Sequence, residues 1–154
     1  MRVLVQSQPF EVDRHYDFLV RENPGAAVVT FTGYVRDHCD RGDVTALELE
    51  HYPGMTERVL EEIGAKAQQR FGLEAWSIIH RYGKLEVTDP IVWVGVVANH
   101  RGAAFDACQF IMDVLKTDAP FWKREHLDDG SATWVEARGE DAERRLHWGH
   151  EGEQ

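Results

Sequence analysis

The chain has 154 residues, 43% of them hydrophobic, with 17 Lys and Arg against 27 Asp and Glu and a formal net charge of −10. That length suits one compact domain, and the acidic balance argues against nucleic acid, which needs a basic stripe to displace counterions. No apolar run approaches the ~20 residues of a membrane span. The start, MRVLVQSQPFEVD, has no signal-peptide core, and Cys39 and Cys108 form neither a CxxC nor a zinc spacing, so a reducing cytoplasm is the expected location.

In chain order, Arg2–Gln6 alternates weakly and reads as a short edge strand. Val12–Arg21 sets Val12, Tyr16, Leu19 and Val20 on one helical face, and Asn23-Pro24-Gly25 ends that helix. Ala26–Arg36 is β-branched and aromatic enough for a strand covered on most of both faces. Asp37–Asp43 is polar and reads as a loop. Val44–His51 then alternates as a half-buried strand, with Leu47 and Leu49 on one side and Glu48 and Glu50 on the other.

Met55, Val59, Leu60, Ile63, Ala67 and Phe71 fall at helical spacing, and Gly72 supplies a stop. Ala75–Arg81 and Ile91–Ala98 are expected strands, with Gly83–Pro90 between them as a turn or short excursion. A second strong helix covers roughly Ala103–Leu115, with Ala104, Cys108, Ile111, Met112 and Leu115 inward. Phe121–His126 and Thr133–Ala137 are expected short strands around the turn Asp128-Asp129-Gly130. From Gly139 the chain is polar and charged, and a loosely ordered tail or a partner-dependent extension is expected. Strands joined now by helices and now by turns indicate an α+β sandwich with a mixed sheet.

The most informative stretch is Asn99–Glu125, NHRGAAFDACQFIMDVLKTDAPFWKRE. It gathers His100, Arg101, Lys116, Lys123 and Arg124 around one amphipathic segment of an acidic protein, a pattern suited to a small anion. His-Arg-Gly precedes a helical pattern, where free N–H groups and the helix dipole already favour a phosphate. Each residue also has a plain structural reading. Lys116 complements the dipole at a helix exit, and His100 caps the helix. Arg36 pairs with Asp37 or Asp40, and Phe121 and Trp122 serve core or interface rather than a stacking platform. His80 is expected inside. The histidines at 15, 38, 51, 126, 147 and 150 show no ligand-like spacing, so no protein-bound metal is expected.

FTGYVRDH, LELEHYPGM, IIHRYGKL, ANHRGAAFDAC and DVLKTDAPFWKRE occur in an order and spacing that resemble the large, catalytic subunit of molybdopterin synthase, over about Val28 to Arg138. The resemblance implies an α+β hammerhead-type sandwich with a mixed or antiparallel sheet and packed helices. It implies a single catalytic domain over residues 1–138; the polar, charged tail over residues 139–154 carries no family pattern. It further implies a homodimer within a heterotetramer, with a small ubiquitin-like sulfur-carrier subunit ending in Gly-Gly at each end.

The implied enzyme is a sulfurtransferase of molybdenum cofactor biosynthesis. It builds the dithiolene on cyclic pyranopterin monophosphate with sulfur from the partner's C-terminal thiocarboxylate. No cofactor or metal of its own is implied. Carried over residue by residue, the implied catalytic residues are Lys116 and Lys123. The implied substrate contacts are Tyr34, Val35, Arg36, His100, Arg101, Lys116, Lys123, Arg124, Glu125 and Arg138, the last reaching a neighbouring subunit.

Arginine suits the phosphate through its planar fork, and a lysine desolvated beside Leu115 or Trp122 suits proton shuttling. Two departures from the family pattern stand out. Glu86-Val87-Thr88-Asp89-Pro90 replaces an expected glycine-containing turn, and the loop at His38-Cys39 is unusual. One rival reading is a non-catalytic anion-binding scaffold of the same fold, which has no reason to keep two lysines on one pocket. A second is a phosphoryl-handling enzyme, for which the GxxxxGK[ST] loop is missing.

Overall fold

A computed structural model of the chain describes residues 1–39, 42–135 and 139–149. The first sheet has the order β1-β5-β7-β2, from Arg2–Gln6, Ala75–Arg81, Pro90–Ala98 and Ala27–Tyr34. β1 is the expected edge strand and runs parallel to β5, while β5–β7 and β7–β2 are antiparallel. The sheet is therefore mixed. All seven residues of β5 and Val92–Ala98 of β7 are buried, because both strands are interior and covered on both faces.

Helices α2 (Met55–Phe71) and α3 (Arg101–Asp118) cover one face through Leu60, Ile63, Ala67, Ala107, Ile111 and Leu115. α1 (Val12–Glu22) covers the other through Leu19, against Ile79, Trp93 and Val97. Gly64 of α2 lets the Trp76 ring lie against the helix backbone, in space a Cβ would occupy. Gly72 ends α2 at φ +64°, its N–H donating to the Gln68 carbonyl as a left-handed cap does.

The second sheet joins β3 (His38–Cys39), β4 (Gly42–His51), β8 (Phe121–Leu127) and β9 (Ala132–Val135), and β6 (Gly83–Glu86) also pairs with β4. Leu47, Leu49 and Leu85 meet Val35 and Phe121 in a third apolar cluster between the sheets. The α+β sandwich with packed helices is thus the observed architecture. No helix among the described residues is long and apolar enough to cross a membrane.

Several local expectations change. Tyr16 and Met55 point outward, and His15 and Thr56 take inward positions beside Leu19 and Leu60. β2 is open rather than covered, with Phe31 and Tyr34 exposed, because it is the outer strand of its sheet. The polar segment expected as a loop contains the short strand β3, and the excursion after Gly83 is a true strand, β6, which leaves the first sheet for the second.

The segment after Gly139 forms α4 (Gly139–His147), followed by Trp148 against Phe71 and Phe110. The Trp148 indole donates to Asp113 at 2.7 Å, and Arg145 pairs with Asp118 at 3.4 Å. One aromatic residue, invisible to a composition argument, anchors this end. Of the expected strand Thr133–Ala137, the last two residues lie outside the described ones.

Candidate active site

The end of the first sheet near Pro90 brings four elements together. His80, one residue from the end of β5, is 4% exposed and stacks on Phe121 of β8 at 3.8 Å between ring centroids. Its Nδ1 lies 2.8 Å from the Arg81 carbonyl, so a neutral ring with its proton on Nδ1 donates there. Burial holds the His80 pKa down to about 3. The bond to the carbonyl opposes that shift, and the charges of Lys123, Lys116 and His51 add to it.

Lys116 from the end of α3 and Lys123 from β8 therefore act on one buried, uncharged imidazole from two different elements. His51 ends β4 with its ring 4.4 Å from Tyr82 and 6.1 Å from Phe121. Its Nδ1 lies 3.1 Å from the Thr56 hydroxyl. The result is an aromatic cluster of His51, His80, Tyr82 and Phe121 whose buried imidazole feels the charges of Lys116 and Lys123. Sequence reading singles out neither His51 nor Tyr82. The available signal was their position, at the end of β4 and just past the end of β5.

The pleat and the helix length decide which expected residues share this place. Along β8, Phe121, Lys123 and Glu125 stand opposite His51, Leu49 and Leu47, on the face of the third apolar cluster. Arg124 stands opposite Glu48 and Trp134 on the other face, its guanidinium 5.8 Å from the Trp134 ring. Trp122 shares that outer face, packed on Tyr52 at 4.9 Å. The pleat thus separates Lys123 from Arg124, and Phe121 packs, partly buried, against the third apolar cluster.

Tyr34 pairs with Pro90 at the start of β7, so Arg36, two residues on and exposed, lies at the His80 end. Val35 is buried against Leu49 and Leu85, with its N–H and carbonyl both engaged, so it offers no free contact of its own. His100 and Arg101 are exposed at the far end of α3, past Ala98 of β7. The fifteen-residue step from Arg101 to Lys116 spans about 22 Å of helix. A single pocket holding both ends of α3 is therefore not formed within one chain.

His100 supplies the α3 cap with its backbone carbonyl, accepting from Ala104 N–H at 3.1 Å, and its side chain makes no cap hydrogen bond. Arg138 lies outside the described residues.

The family model described as MoaE protein matches residues 5–118. The molybdopterin synthase catalytic subunit of Salmonella typhimurium is 52% identical over 147 residues, covering 96% of this chain and 97% of that protein. The chain belongs to the MoaE family.

A solved MoaE protein described as of molybdopterin biosynthesis, from Burkholderia ambifaria, superposes with a TM-score of 0.82 at 45% identity, over 97% of this chain and 99% of that one. A chain from a Helicobacter pylori structure described as a complex of subunits 1 and 2 of molybdopterin-converting factor shares the fold. Its TM-score is 0.72 at 16% identity, covering 88% of this chain and 91% of that one. In this MoaE chain burial pushes the Cys108 thiol up to about 11, so it stays protonated within the core. Among the described residues no group of three or more His, Cys, Asp or Glu is placed to hold a metal ion.

Proposed function

We propose that the chain is the catalytic subunit of a molybdopterin synthase, a sulfurtransferase that builds the dithiolene on cyclic pyranopterin monophosphate. Its partner is a small ubiquitin-like subunit that carries sulfur as a thiocarboxylate on its C-terminal glycine. The observation that carries the reading is buried His80 stacked on Phe121, with Lys123 on the same face of β8 as Phe121 and the charges of Lys123 and Lys116 both felt at the imidazole.

The partner's thiocarboxylate sulfur attacks a substrate carbon and displaces the oxygen that carbon carries, which takes up a proton as its C–O bond breaks. Water then adds to the thioester carbonyl, cleaves the acyl–sulfur bond, leaves the sulfur on the substrate and frees the glycine carboxylate. Both steps develop negative charge and move protons, which two ammonium groups, Lys116 exposed and Lys123 half-buried, are suited to stabilise and supply. Lys116 is the first choice for proton transfer and Lys123 the second. Glu125, on the face of Lys123, is a candidate contact, and Arg36 is the candidate phosphate clamp.

His100 and Arg101 join the same site only from a second copy. β2 is an outer strand with Phe31 and Tyr34 exposed, and Phe105 is exposed on α3. An antiparallel meeting of two such strands sets the Ala27 end of one chain beside the Tyr34 end of the other. A two-fold dimer of that kind carries His100 and Arg101 of each copy toward Lys116 and Arg36 of its mate. Arg124 faces the outer side of the second sheet, across the strand from Lys123, so on this reading it has no part in the Lys116–Lys123 site.

The deciding experiment mixes the purified chain with thiocarboxylated small subunit and the cyclic pterin and assays for molybdopterin. Product formation that depends on both additions is the expected result. No product from a folded chain with an active carrier would overturn the reading.

A further inference from the structure

Arg81 ends β5 and is 5% exposed, a costly place for a permanent cation unless its donors are used. Its Nε and Nη2 donate to the Ser7 carbonyl at 3.3 and 2.9 Å, and its Nη1 lies 3.7 Å from the Asp89 carboxylate. The same carboxylate accepts from Glu86 N–H at 3.1 Å, while Asp89 N–H donates to the Glu86 carbonyl at 3.0 Å. The resulting turn, Glu86 to Asp89, holds Thr88 at φ +73°, a left-handed conformation that a β-branched residue keeps only where its surroundings enforce it.

This turn grips the end of β2 from both sides. Val35 N–H donates to the Asp89 carbonyl at 2.9 Å, and the Val35 carbonyl accepts from Thr88 N–H at 3.0 Å. Regular pairing of β2 with β7 stops at Tyr34 and Pro90, so these two bonds fix the backbone just before Arg36.

We propose that Arg81 and Asp89 are positioning residues for substrate, acting through the 86–89 turn and Val35 to aim the exposed Arg36. The inference rests on the reading of Arg36 as the phosphate clamp. Neither residue touches substrate. Arg81 is locked to the Ser7 backbone, and Asp89 is repulsive to a phosphate unless Arg81 holds its charge. The buried cation therefore serves the turn, and the turn serves Arg36.

Kinetics of the complex with thiocarboxylated small subunit test this in Asp89→Asn, Arg36→Ala and the double variant. Asp89→Asn should raise KM for the cyclic pterin about tenfold with kcat changed less than about twofold. The double variant should have a KM no higher than Arg36→Ala alone, the signature of two residues acting through one contact. Arg81→Lys keeps the charge but loses the planar fork to the Ser7 carbonyl that aims Nη1 at Asp89, and it should follow Asp89→Asn.

Multiplying KM effects in the double variant, or an unchanged KM in Asp89→Asn, would overturn the positioning role and leave the clamp standing. An unchanged KM in Arg36→Ala would remove the clamp and the inference with it. If Asp89→Asn loses its thermal unfolding transition, Arg81→Lys carries the same comparison.

Discussion

His80 gives the sharpest physical test of the site, because its protonation state is tied to where the two lysines sit. An unfolded chain binds a proton at His80 with the ordinary pKa of 6.5, whereas the folded chain refuses it until about pH 3. Between those values the unfolded state holds more protons, so stability rises with pH and is lost as pH falls. The loss is about 1.4 kcal/mol per pH unit below 6.5, hence about 2 kcal/mol at pH 5, with no contribution from this group above neutrality.

Urea unfolding of the protein and of His80→Gln, at pH 7.5 and pH 5 and one fixed protomer concentration, isolates the effect. Carboxylates cancel in the difference between the two proteins. His15 cancels too, although burial and the Arg2 charge push its pKa in the same direction. The wild type should lose about 2 kcal/mol more than the variant over that interval. Equal losses would mean that His80 takes up its proton in the folded state, and the picture of a neutral imidazole beneath two lysines would fall.

Lys116→Ala should lower product formation about 10²–10⁴-fold while circular dichroism stays unchanged, the cost of removing a proton-transfer or charge-stabilising group. Mixed dimers pairing a Lys116→Ala chain with an Arg101→Ala chain should regain about half the wild-type rate, because one of their two shared sites is intact; no recovery would place both residues in one chain's site. Trp148→Ala should cost about 2 kcal/mol and speed amide exchange in α4, since it empties the contacts with Phe71 and Phe110 and leaves Asp113 with only its Gln109 donor. Thr88→Gly should raise stability by about 1 kcal/mol in thermal unfolding by removing a left-handed threonine.

The elements with strong periodicity were legible in the sequence, and the reasons are visible in the fold. α2 and α3 each bury one long apolar stripe, and Gly72 stops α2 as its conformational freedom suggests. Burial of single positions was less legible. Tyr16 and His15 both fit the inner stripe of α1, and only the nearby Arg2, Phe10 and Trp93 give the place to His15. β2 is apolar enough for an interior strand, yet it is the outer one, because strand order is a tertiary property that composition does not carry. The turn at Glu86 to Asp89 lacks its expected glycine and still adopts the left-handed conformation, held by Asp89 and by the Val35 backbone. A motif match can flag that departure; only the surrounding hydrogen bonds explain it.

The site itself was legible as a set of residues and not as an arrangement. Reading Asn99 to Glu125 as one cationic segment treats closeness in sequence as closeness in space, and an 18-residue helix separates its two ends. Adjacent residues of a strand fare no better, because the pleat sends Lys123 and Arg124 to opposite faces of β8. Residues far apart in sequence are the ones that meet, with His51, His80, Lys116 and Lys123 drawn from four elements. A helix with cations at both ends and an open strand beside it is poorly suited to clasp one small anion alone. Turned about a two-fold axis onto its own copy, as proposed for the dimer, it would present the start of one α3 to the end of the other, and that proposed dimer is what joins the exposed edge of β2 to the exposed His100 and Arg101.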